Sequence, residues 1–172
     1  KFSSTPATLE ASKSVDAYGQ RPGKSIGQCD AEQAYVQSKL GGILTLVTLP
    51  RERWPKHFES FRSPVVILRL SLYGHPDAGG YWEAHCKSKL EQAGFEAVED
   101  WTSVFWHPKL KLLLMVYVDD FKFSGPQVNL TKGWALIRRS IQTDEPLPVN
   151  KCLGCEHTMV NTNVNNKSVK QM

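Results

Sequence analysis

Two adjacent carboxylates, Asp119 and Asp120, lie between two largely apolar segments, residues 110–118 and 121–125. β-Branched and aromatic residues on both sides of a short polar break predict a strand, an acidic tip and a second strand. Like charges held side by side repel each other, and a divalent cation can relieve the repulsion. Carboxylates that hold a pair of metal ions are the machinery of in-line phosphoryl transfer. The alternative is a hairpin whose tip is acidic only because turns favour Asp.

A third carboxylate could complete such a metal site. Asp30 lies within residues 26–31, a short stretch with strand-like composition, 89 positions before Asp119 (119 − 30). An aromatic residue, Tyr35, follows Asp30 at a distance of five residues. Three carboxylates could hold two divalent ions, since hard cations prefer oxygen ligands. This favours the metal-binding interpretation of the acidic tip.

Five motifs occur in a recognisable order along the sequence. They are Asp30 with Tyr35, Ser-Leu-Tyr-Gly at 71–74, Tyr-Trp at 81–82, Leu-Met-Val-Tyr-Val-Asp-Asp at 114–120 and Cys-Leu-Gly-Cys-Glu at 152–156. In this order the sequence resembles the reverse transcriptase of copia-type long-terminal-repeat retrotransposons. That family has an Asp followed by Phe or Tyr, a Ser/Ala-Leu-Tyr-Gly block, an Ala-Trp pair, a Tyr-Val-Asp-Asp hairpin and a Leu-Gly block. The resemblance covers roughly residues 5–158.

The resemblance implies an RNA-directed DNA polymerase, a nucleotidyltransferase that joins dNTPs to a primer. The primer 3′-hydroxyl would attack the α-phosphate of the dNTP, and pyrophosphate would leave. Asp30 and Asp119 would bridge two Mg²⁺ ions, with Mn²⁺ as an alternative, and Asp120 would be a secondary ligand. No side chain is then needed as a general base, because the metal lowers the pKa of the hydroxyl.

The resemblance also implies residues that bind the substrates. Tyr35 would be a steric gate that excludes a ribose 2′-hydroxyl, with Ala31 beside it at the nucleotide. Tyr117 and Val118 would lie beneath the primer terminus. The hairpin that grips the primer would carry Leu153 and Gly154.

One block departs from the family pattern. Residues 73–82 read Tyr-Gly-His-Pro-Asp-Ala-Gly-Gly-Tyr-Trp, where the family reads Tyr-Gly-Leu-Lys-Gln-Ala-Pro-Arg-Ala-Trp. Pro76, Asp77 and Gly80 replace a Lys, a Gln and an Arg that help to hold nucleotide and template. The alternative function is therefore a catalytically inactive, degenerate or domesticated retroelement fragment that at most binds nucleic acid.

The chain has 172 residues, of which 41% are hydrophobic, and this is enough for one core. Its strands and helices predict an α+β fold, an antiparallel sheet with helices on one face. The resemblance assigns a reverse-transcriptase palm to residues 1–37 and 76–158, and part of the fingers to residues 38–75. Residues 159–172 would be a polar tail that leads toward a thumb outside this chain. Because the first residue is Lys1, we expect a piece of a longer polyprotein.

Individual elements follow from periodicity and from capping residues. Thr5-Pro6 predicts the start of a helix with Leu9, Val15 and Tyr18 on its inner face and Gly19 at its end. Further helices are predicted over 79–94, with Trp82, Cys86, Leu90 and Ala93 inward, and over 128–141. Strands are predicted over 43–49, 65–70, 102–106 and 110–118. Residues 161–172 are polar, which predicts a frayed segment.

The partners implied are an RNA or DNA template-primer, a dNTP and other polyprotein segments, namely integrase and RNase H. A net charge of +4 is compatible with nucleic acid. No apolar run approaches the ~18 residues that span a bilayer, so no membrane partner is expected. The implied location is intracellular, in a cytoplasmic virus-like particle or the nucleus.

Two other patterns leave alternatives open. Cys152 and Cys155, with His157 nearby, could be half of a zinc site completed by Cys86 or His85, or could simply belong to a hairpin. Four cysteines do not indicate a disulfide framework, and an intracellular setting would keep them reduced. Residues 51–62 interleave basic and aromatic side chains, which indicates either a phosphate-contacting surface or a solvated loop with a buried Trp54.

Overall fold

A computed structural model describes residues 4–158, 160–164 and 167–171. From residue 161 onward the description is limited to the backbone. Within that part the chain forms three α-helices and twelve short strands. The helices are α1 Leu9–Gly19, α2 Ala78–Gln92 and α3 Gln127–Ile137. The strands are β1 Lys24–Asp30, β2 Leu46–Thr48, β3 Val65–Ile67, β4 Glu96–Ala97, β5 Val104–His107, β6 Leu112–Tyr117, β7 Asp120–Pro126, β8 Leu147–Pro148, β9 Lys151–Cys152, β10 Cys155–Glu156, β11 Val160–Val164 and β12 Lys167–Gln171.

Six of these strands form the central sheet in the order β4-β5-β6-β7-β1-β8. Each neighbouring pair in this sheet is antiparallel. The predicted α+β mixture with an antiparallel sheet is therefore present. The predicted hairpin formed by 102–106 and 110–118 is confirmed as β5 and β6, which pair from Val104 opposite Met115 to His107 opposite Leu112.

Helices cover both faces of the sheet, so the prediction of helices on one face was wrong. Lys122 and Ser124 of β7 form hydrogen bonds with residues of α1. Phe123, which lies between them, stacks on Trp134 of α3 at a centroid distance of 3.9 Å. Successive side chains of a strand point to opposite faces, so α1 and α3 lie on opposite sides of β7.

The two faces carry separate hydrophobic cores. The larger core joins α2 and α3 to the sheet and contains Cys29, Ala31, Ala34, Trp82, Cys86, Leu90, Phe95, Phe105, Leu112, Leu114, Val116, Phe121, Phe123, Trp134, Ile137 and Ile141. The smaller core lies beneath α1 and contains Ala7, Ala11, Val15, Ile26, Val104, Met115 and Cys152. Burial on both faces explains why β7 is almost completely buried over residues 121–125.

The first helix starts later than its predicted cap. Thr8 caps α1 by accepting a hydrogen bond from the Ala11 amide at 3.3 Å, so the predicted start at Thr5-Pro6 was wrong. Leu9, which was predicted to lie on the inner face, is 46% exposed, so that prediction was wrong. The predicted end at Gly19 is confirmed. A Cβ atom on Gly19 would collide with the side chain of Ile26, so glycine lets α1 approach β1.

The other two helices agree with the periodicity of their sequences. In α2 the predicted inward residues Trp82, Cys86 and Leu90 are buried. Helix α3 ends at Ile137, four residues before the predicted end at Ile141, which is still buried in the core. The structure contains no helix in the described part of the chain that is long and apolar enough to cross a membrane.

Two segments outside the central sheet form separate strand pairs. The strands predicted over 43–49 and 65–70 are the shorter β2 and β3, which pair with each other. Residues 161–172 were predicted to be frayed, but β11 and β12 pair in antiparallel fashion from Val160 opposite Gln171 to Val164 opposite Lys167. β-Branched residues at alternate positions, 160, 162 and 164, favour this strand. Residues 1–3, 159, 165, 166 and 172 lie outside the described residues.

Candidate active site at the β6–β7 turn

The acidic motif lies at a tight turn between two central strands, one residue earlier than the predicted Asp119-Asp120 tip. Strand β6 ends at Tyr117 and β7 begins at Asp120, so Val118 and Asp119 form the turn. Val118 has a φ of 56°, a left-handed conformation that β-branched residues rarely adopt. The indole Nε1 of Trp82 donates a hydrogen bond of 2.6 Å to the Val118 carbonyl. On the other side the Ala31 amide donates to the Asp119 carbonyl at 2.8 Å. The turn is therefore held by two neighbouring segments.

Strand β1 carries Asp30 to the same end of the sheet. Its antiparallel pairing with β7 runs from Lys24 opposite Pro126 to Asp30 opposite Asp120. Residues directly opposite in such a pair project their side chains from the same face. The structure thus brings together two of the three predicted metal ligands, which are separated by 90 positions in the sequence (120 − 30).

The electrostatics of this pair differ from those of ordinary surface carboxylates. Partial burial, the charges of Asp30 and Asp119 and a hydrogen bond with Asp30 raise the pKa of Asp120 to about 6. Each cause penalises the charged form of Asp120, because desolvation and neighbouring negative charge both oppose ionisation. In the described part of the chain, no Lys, Arg or His side chain forms an ion pair with any of the three aspartates.

The three carboxylates are not gathered into one set of ligands. Among the described residues, no three His, Cys, Asp or Glu side chains are arranged to hold one metal ion together. Asp30 and Asp120 interact directly, whereas Asp119 lies on the turn, close enough for its charge to act on Asp120. The donor chemistry nevertheless fits a divalent ion. Carboxylate oxygens are the ligands that hard cations prefer, and a cation would offset the repulsion.

Tyr35, the predicted steric gate, lies close enough to the acidic turn for the charge of Asp119 to act on its hydroxyl. It belongs to a short 3₁₀ segment, Ala34–Gln37, and its half-buried ring lies 4.3 Å from the ring of Tyr73, centroid to centroid. Burial and the negative charge of Asp119 raise the pKa of both tyrosines. Tyr73 was not among the predicted site residues. The Ser-Leu-Tyr-Gly motif that contains it could have indicated a place near the site.

The block that departs from the family pattern forms the turn that leads into α2. The His75 ring accepts a hydrogen bond from the Asp77 amide at 3.2 Å and its other nitrogen lies 3.3 Å from Thr45 Oγ1. A Cβ atom on Gly79 would meet Ser4 Cβ at 2.8 Å, so glycine permits close packing at the start of α2. Pro76 lies in the turn before α2, and Gly80 lies in the first turn of that helix. Neither residue supplies the positive charge of the Lys or Arg that the family has at these positions.

The predicted primer-gripping hairpin is formed by β9 and β10. Its turn residues, Leu153 and Gly154, have φ angles of 51° and 75°, as in a type I′ turn. Leu153 packs against the smaller core, which lies beneath α1. Behind the hairpin, His157 Nε2 lies 3.3 Å from Asp16 Oδ2 of α1. This places the hairpin on the sheet face that also carries Lys122 and, two residues before it, Asp120.

A zinc site that joins this hairpin to Cys86 or His85 is contradicted by the structure. Cys152 belongs to the smaller core and Cys86 to the larger core, on opposite faces of the sheet. His85 lies on α2 and stacks on Trp82 at a centroid distance of 6.0 Å. The cysteines of residues 152–156 therefore belong to a hairpin, as the other interpretation held.

The basic and aromatic segment at 51–62 remains compatible with phosphate contact. Trp54 is half-buried, and its Nε1 donates a hydrogen bond of 2.9 Å to the Leu49 carbonyl. The Arg51 guanidinium lies 5.5 Å from the centre of the Trp54 ring. The basic residues of this segment are exposed, so they form a positively charged surface on residues 51–62.

Comparison with known proteins relates the chain to retrotransposon polyproteins. It is 30% identical over 108 residues to the Gag-Pol polyproteins of transposons Ty1-DR4 and Ty1-JR2 of Saccharomyces cerevisiae, matching 62% of this chain and 6% of each relative. The truncated Ty1-A Gag-Pol polyprotein of the same yeast matches equally well over 8% of its length. No family model and no solved structure matches the chain. Part of the chain is thus homologous to copia-type retrotransposon Gag-Pol polyproteins, of which it spans a small fraction.

Proposed function

We propose that this chain is the reverse-transcriptase segment of a copia-type retrotransposon polyprotein, an RNA-directed DNA polymerase with a palm and part of the fingers. The observation that carries the proposal is the contact of Asp30 with Asp120 directly beside the Asp119 turn. Pairs of uncompensated carboxylates at a strand end suit metal-assisted phosphoryl transfer. Homology to Gag-Pol polyproteins supports the same assignment.

In this function Asp30 and Asp119 hold the two Mg²⁺ or Mn²⁺ ions, with Asp120 as an additional ligand. When bound, such ions lower the pKa of the primer hydroxyl and neutralise charge on the leaving oxygens. Asp120 must give up its proton to act as a ligand, and because its pKa without metal is raised to about 6, protons compete with the metal ion for this carboxyl as the pH falls through that value. The bonds from Trp82 and Ala31 fix the turn before any ligand arrives, so Asp119 is positioned in advance.

The neighbouring residues are suited to the substrates of this reaction. The Tyr35 ring would lie against the sugar of the dNTP and exclude a 2′-hydroxyl, with the Ala31 backbone beneath it. Tyr117 is 37% exposed next to the turn and is available to a primer terminus, as is Val118. Leu153 and Gly154 would hold the primer strand from the β9–β10 hairpin, on the face of the sheet that carries Asp120.

The implied partners are a template-primer, dNTPs and the integrase and RNase H segments of the same polyprotein. The exposed basic surface at 51–62 supports a nucleic-acid partner, because Lys and Arg neutralise phosphates and release counterions. An intracellular location, in virus-like particles or the nucleus, follows from the retrotransposon assignment.

The first test is metal binding, measured on this chain by the electron paramagnetic resonance signal of free Mn²⁺. We expect saturable binding that weakens by about tenfold or more in Asp30→Asn and Asp119→Asn, because each removes a ligand. Asp144→Asn is a matched control, since the exposed Asp144 donates its backbone amide to the Asp30 carbonyl at 2.9 Å without adding a carboxylate to the pair. Equal binding by all four proteins would contradict the metal site.

The second test is the addition of one nucleotide to a DNA primer on an RNA template, with protein in excess over template-primer. We expect slow, metal-dependent addition of a single dNTP, with loss of about two orders of magnitude or more in Asp30→Asn. Robust processive synthesis is not expected from a chain that matches only 6% of its Gag-Pol relatives, because positioning of the reactants supplies much of the rate. Metal binding without any addition would instead support the inactive-fragment alternative that residues 76–80 suggest.

A further inference from the structure

The two cysteines of the β9–β10 hairpin lie directly opposite each other. Cys155 pairs with Cys152 across the two-residue turn. Opposite residues of an antiparallel pair have Cα atoms about 4.5–5.5 Å apart and project their side chains from one face. A disulfide needs Cα atoms about 4.4–6.8 Å apart. The backbone of the reduced hairpin therefore already satisfies the main geometric requirement for a bond between these sulfurs.

The two thiols of this pair differ in access. Cys155 is exposed, whereas Cys152 is buried beside α1 with 5% of its surface accessible. Burial raises the pKa of the Cys152 thiol, and the charge of Lys122 acts in the opposite direction. An oxidant can reach Cys155 first, and Cys152 is then placed to attack it from within the same hairpin.

The remaining two cysteines have no such arrangement. Cys29 and Cys86 are buried in the larger core, and burial raises the pKa of the Cys29 thiol to about 12. Thiols of this kind are inert, because the thiolate is the reactive form. The protein thus has one pair of thiols that can react together and two that serve as internal controls.

We propose that Cys152 and Cys155 form a reversible, redox-sensitive disulfide that closes the β9–β10 hairpin. Its oxidant is a small-molecule disulfide such as glutathione disulfide. The Cys155 thiolate attacks one sulfur of that disulfide, which forms a mixed disulfide and releases one glutathione thiolate. Cys152, as a thiolate, then attacks the Cys155 sulfur and releases the second glutathione. Both cysteine protons end on the two glutathiones, so two thiols are oxidised and one small disulfide is reduced.

The disulfide would make the β9–β10 hairpin more resistant to local opening. Strands β9 and β10 contain two residues each, and a strand pair this short is only marginally stable without further support. That support comes from Leu153 in the smaller core and from the contact of His157 with Asp16. A covalent link between Cys152 and Cys155 would fix the Leu153-Gly154 turn and limit local opening. The transient nature of the bond is compatible with a reducing compartment, where disulfides are typically regulatory.

The experiment is a redox titration of the whole chain in buffers of reduced and oxidised glutathione. Samples are quenched in acid, alkylated in denaturant and mapped by mass spectrometry. We expect the four free thiols to fall to two, with one species that has lost two hydrogens and carries a peptide link between Cys152 and Cys155. Reduction with dithiothreitol should restore all four thiols. No variant is needed for this measurement, so it does not depend on the stability of a mutant.

Variants then assign the two sulfurs. Cys155→Ser should abolish the oxidised species, and Cys152→Ala should leave a stable mixed disulfide of Cys155 with glutathione. Cys29→Ala, which removes a buried thiol elsewhere, should leave the titration midpoint unchanged. The proposal would be overturned if wild-type protein stopped at the mixed disulfide on Cys155, if it formed covalent dimers through Cys155, or if all four thiols survived an excess of glutathione disulfide.

Discussion

Asp30 and Asp120 face each other at the last paired position of β1 and β7, and their carboxyl groups are joined by a hydrogen bond. The pair can form this bond only while one carboxyl keeps its proton. Burial raises the pKa of Asp120 most, and the charges of Asp30 and Asp119 together with this hydrogen bond bring it to about 6. A strand end of this kind stores electrostatic repulsion that protons or cations can relieve.

Stability in metal-free buffer should therefore depend on the protonation of Asp120. Its folded-state pKa of about 6 exceeds the ordinary 3.8, so the folded state binds the proton more tightly. The resulting stabilisation is complete below about pH 4 and is lost as the pH rises through 6. We expect Asp120→Asn to gain about 1–2 kcal/mol relative to wild type between pH 4 and 7, after allowance for partial exposure. Urea unfolding at several pH values measures this difference. Asp144→Asn should keep the wild-type dependence, and parallel curves for Asp120→Asn would contradict the prediction.

Removal of Asp16 should destabilise the protein more than removal of the lysine that it pairs with. Lys122 is completely buried, and its Nζ donates to Asp16 Oδ1 at 2.8 Å and to Ser12 Oγ at 2.6 Å. Asp16→Asn leaves a buried ammonium without its counter-charge, which we expect to cost about 3 kcal/mol. Lys122→Met removes that charge and keeps the chain length, so its cost should be smaller. The free energy of unfolding in urea compares the two, and equal losses would argue against an electrostatic origin.

Loss of the indole donor should loosen the acidic turn. Trp82→Phe keeps an aromatic ring in the core but leaves the Val118 carbonyl without the 2.6 Å bond from Nε1. We expect a loss of about 1–2 kcal/mol in stability. Hydrogen exchange of the Ala31 amide, which donates to the Asp119 carbonyl, should become faster. Trp101→Phe, at a side chain that is 41% exposed, is the control and should change neither quantity. Unaltered exchange in Trp82→Phe would show that the bond does not hold the turn.

Sugar selection should depend on Tyr35 if the proposed polymerase function holds. In single-nucleotide addition, Tyr35→Val should raise the kcat/KM for GTP relative to dGTP by about tenfold or more, because the ring no longer excludes the 2′-hydroxyl. A loss of about 2 kcal/mol in stability should accompany it, since the ring is half-buried. Tyr73→Val removes the neighbouring ring, 4.3 Å away, and controls for general loosening of the pocket. A folded Tyr35→Val variant with an unchanged ratio of the two substrates would end the gate assignment.

Local patterns predicted the elements well, because they depend on neighbours in the sequence. The largely apolar segments on both sides of the acidic pair predicted the β6–β7 hairpin, and the spacing of Trp82, Cys86 and Leu90 predicted the inner face of α2. The proximity of Asp30 to Asp120 was expected only from the resemblance to a known family. Nothing local relates two positions that are 90 residues apart, and the register of β1 against β7 decides their contact.

The position of α1 on the second face of the sheet was not predicted, and the reason is physical. Phe121 and Phe123 alternate with Lys122 and Ser124, a pattern typical of a strand with one solvated face. In the fold both polar side chains are buried, because Lys122 donates to Ser12 and Asp16 of α1 and Ser124 donates to the Val15 carbonyl of the same helix. Partners that lie 106 or more positions away cannot be found from periodicity, so the packing of α1 on this face of the sheet was not predicted.

The seven-residue pairing of β1 with β7 makes the acidic site sensitive to the length of β1 more than to its composition. The register is continuous, since each residue from Lys24 to Asp30 pairs with the next residue along β7. A slip of one residue moves every side chain of a strand to the other face of its sheet. One inserted or deleted residue within β1 would therefore separate Asp30 from Asp120 even if every contact of the core re-formed. Variation among relatives in this strand should accordingly consist of substitutions, whereas gaps should fall in the connections on either side.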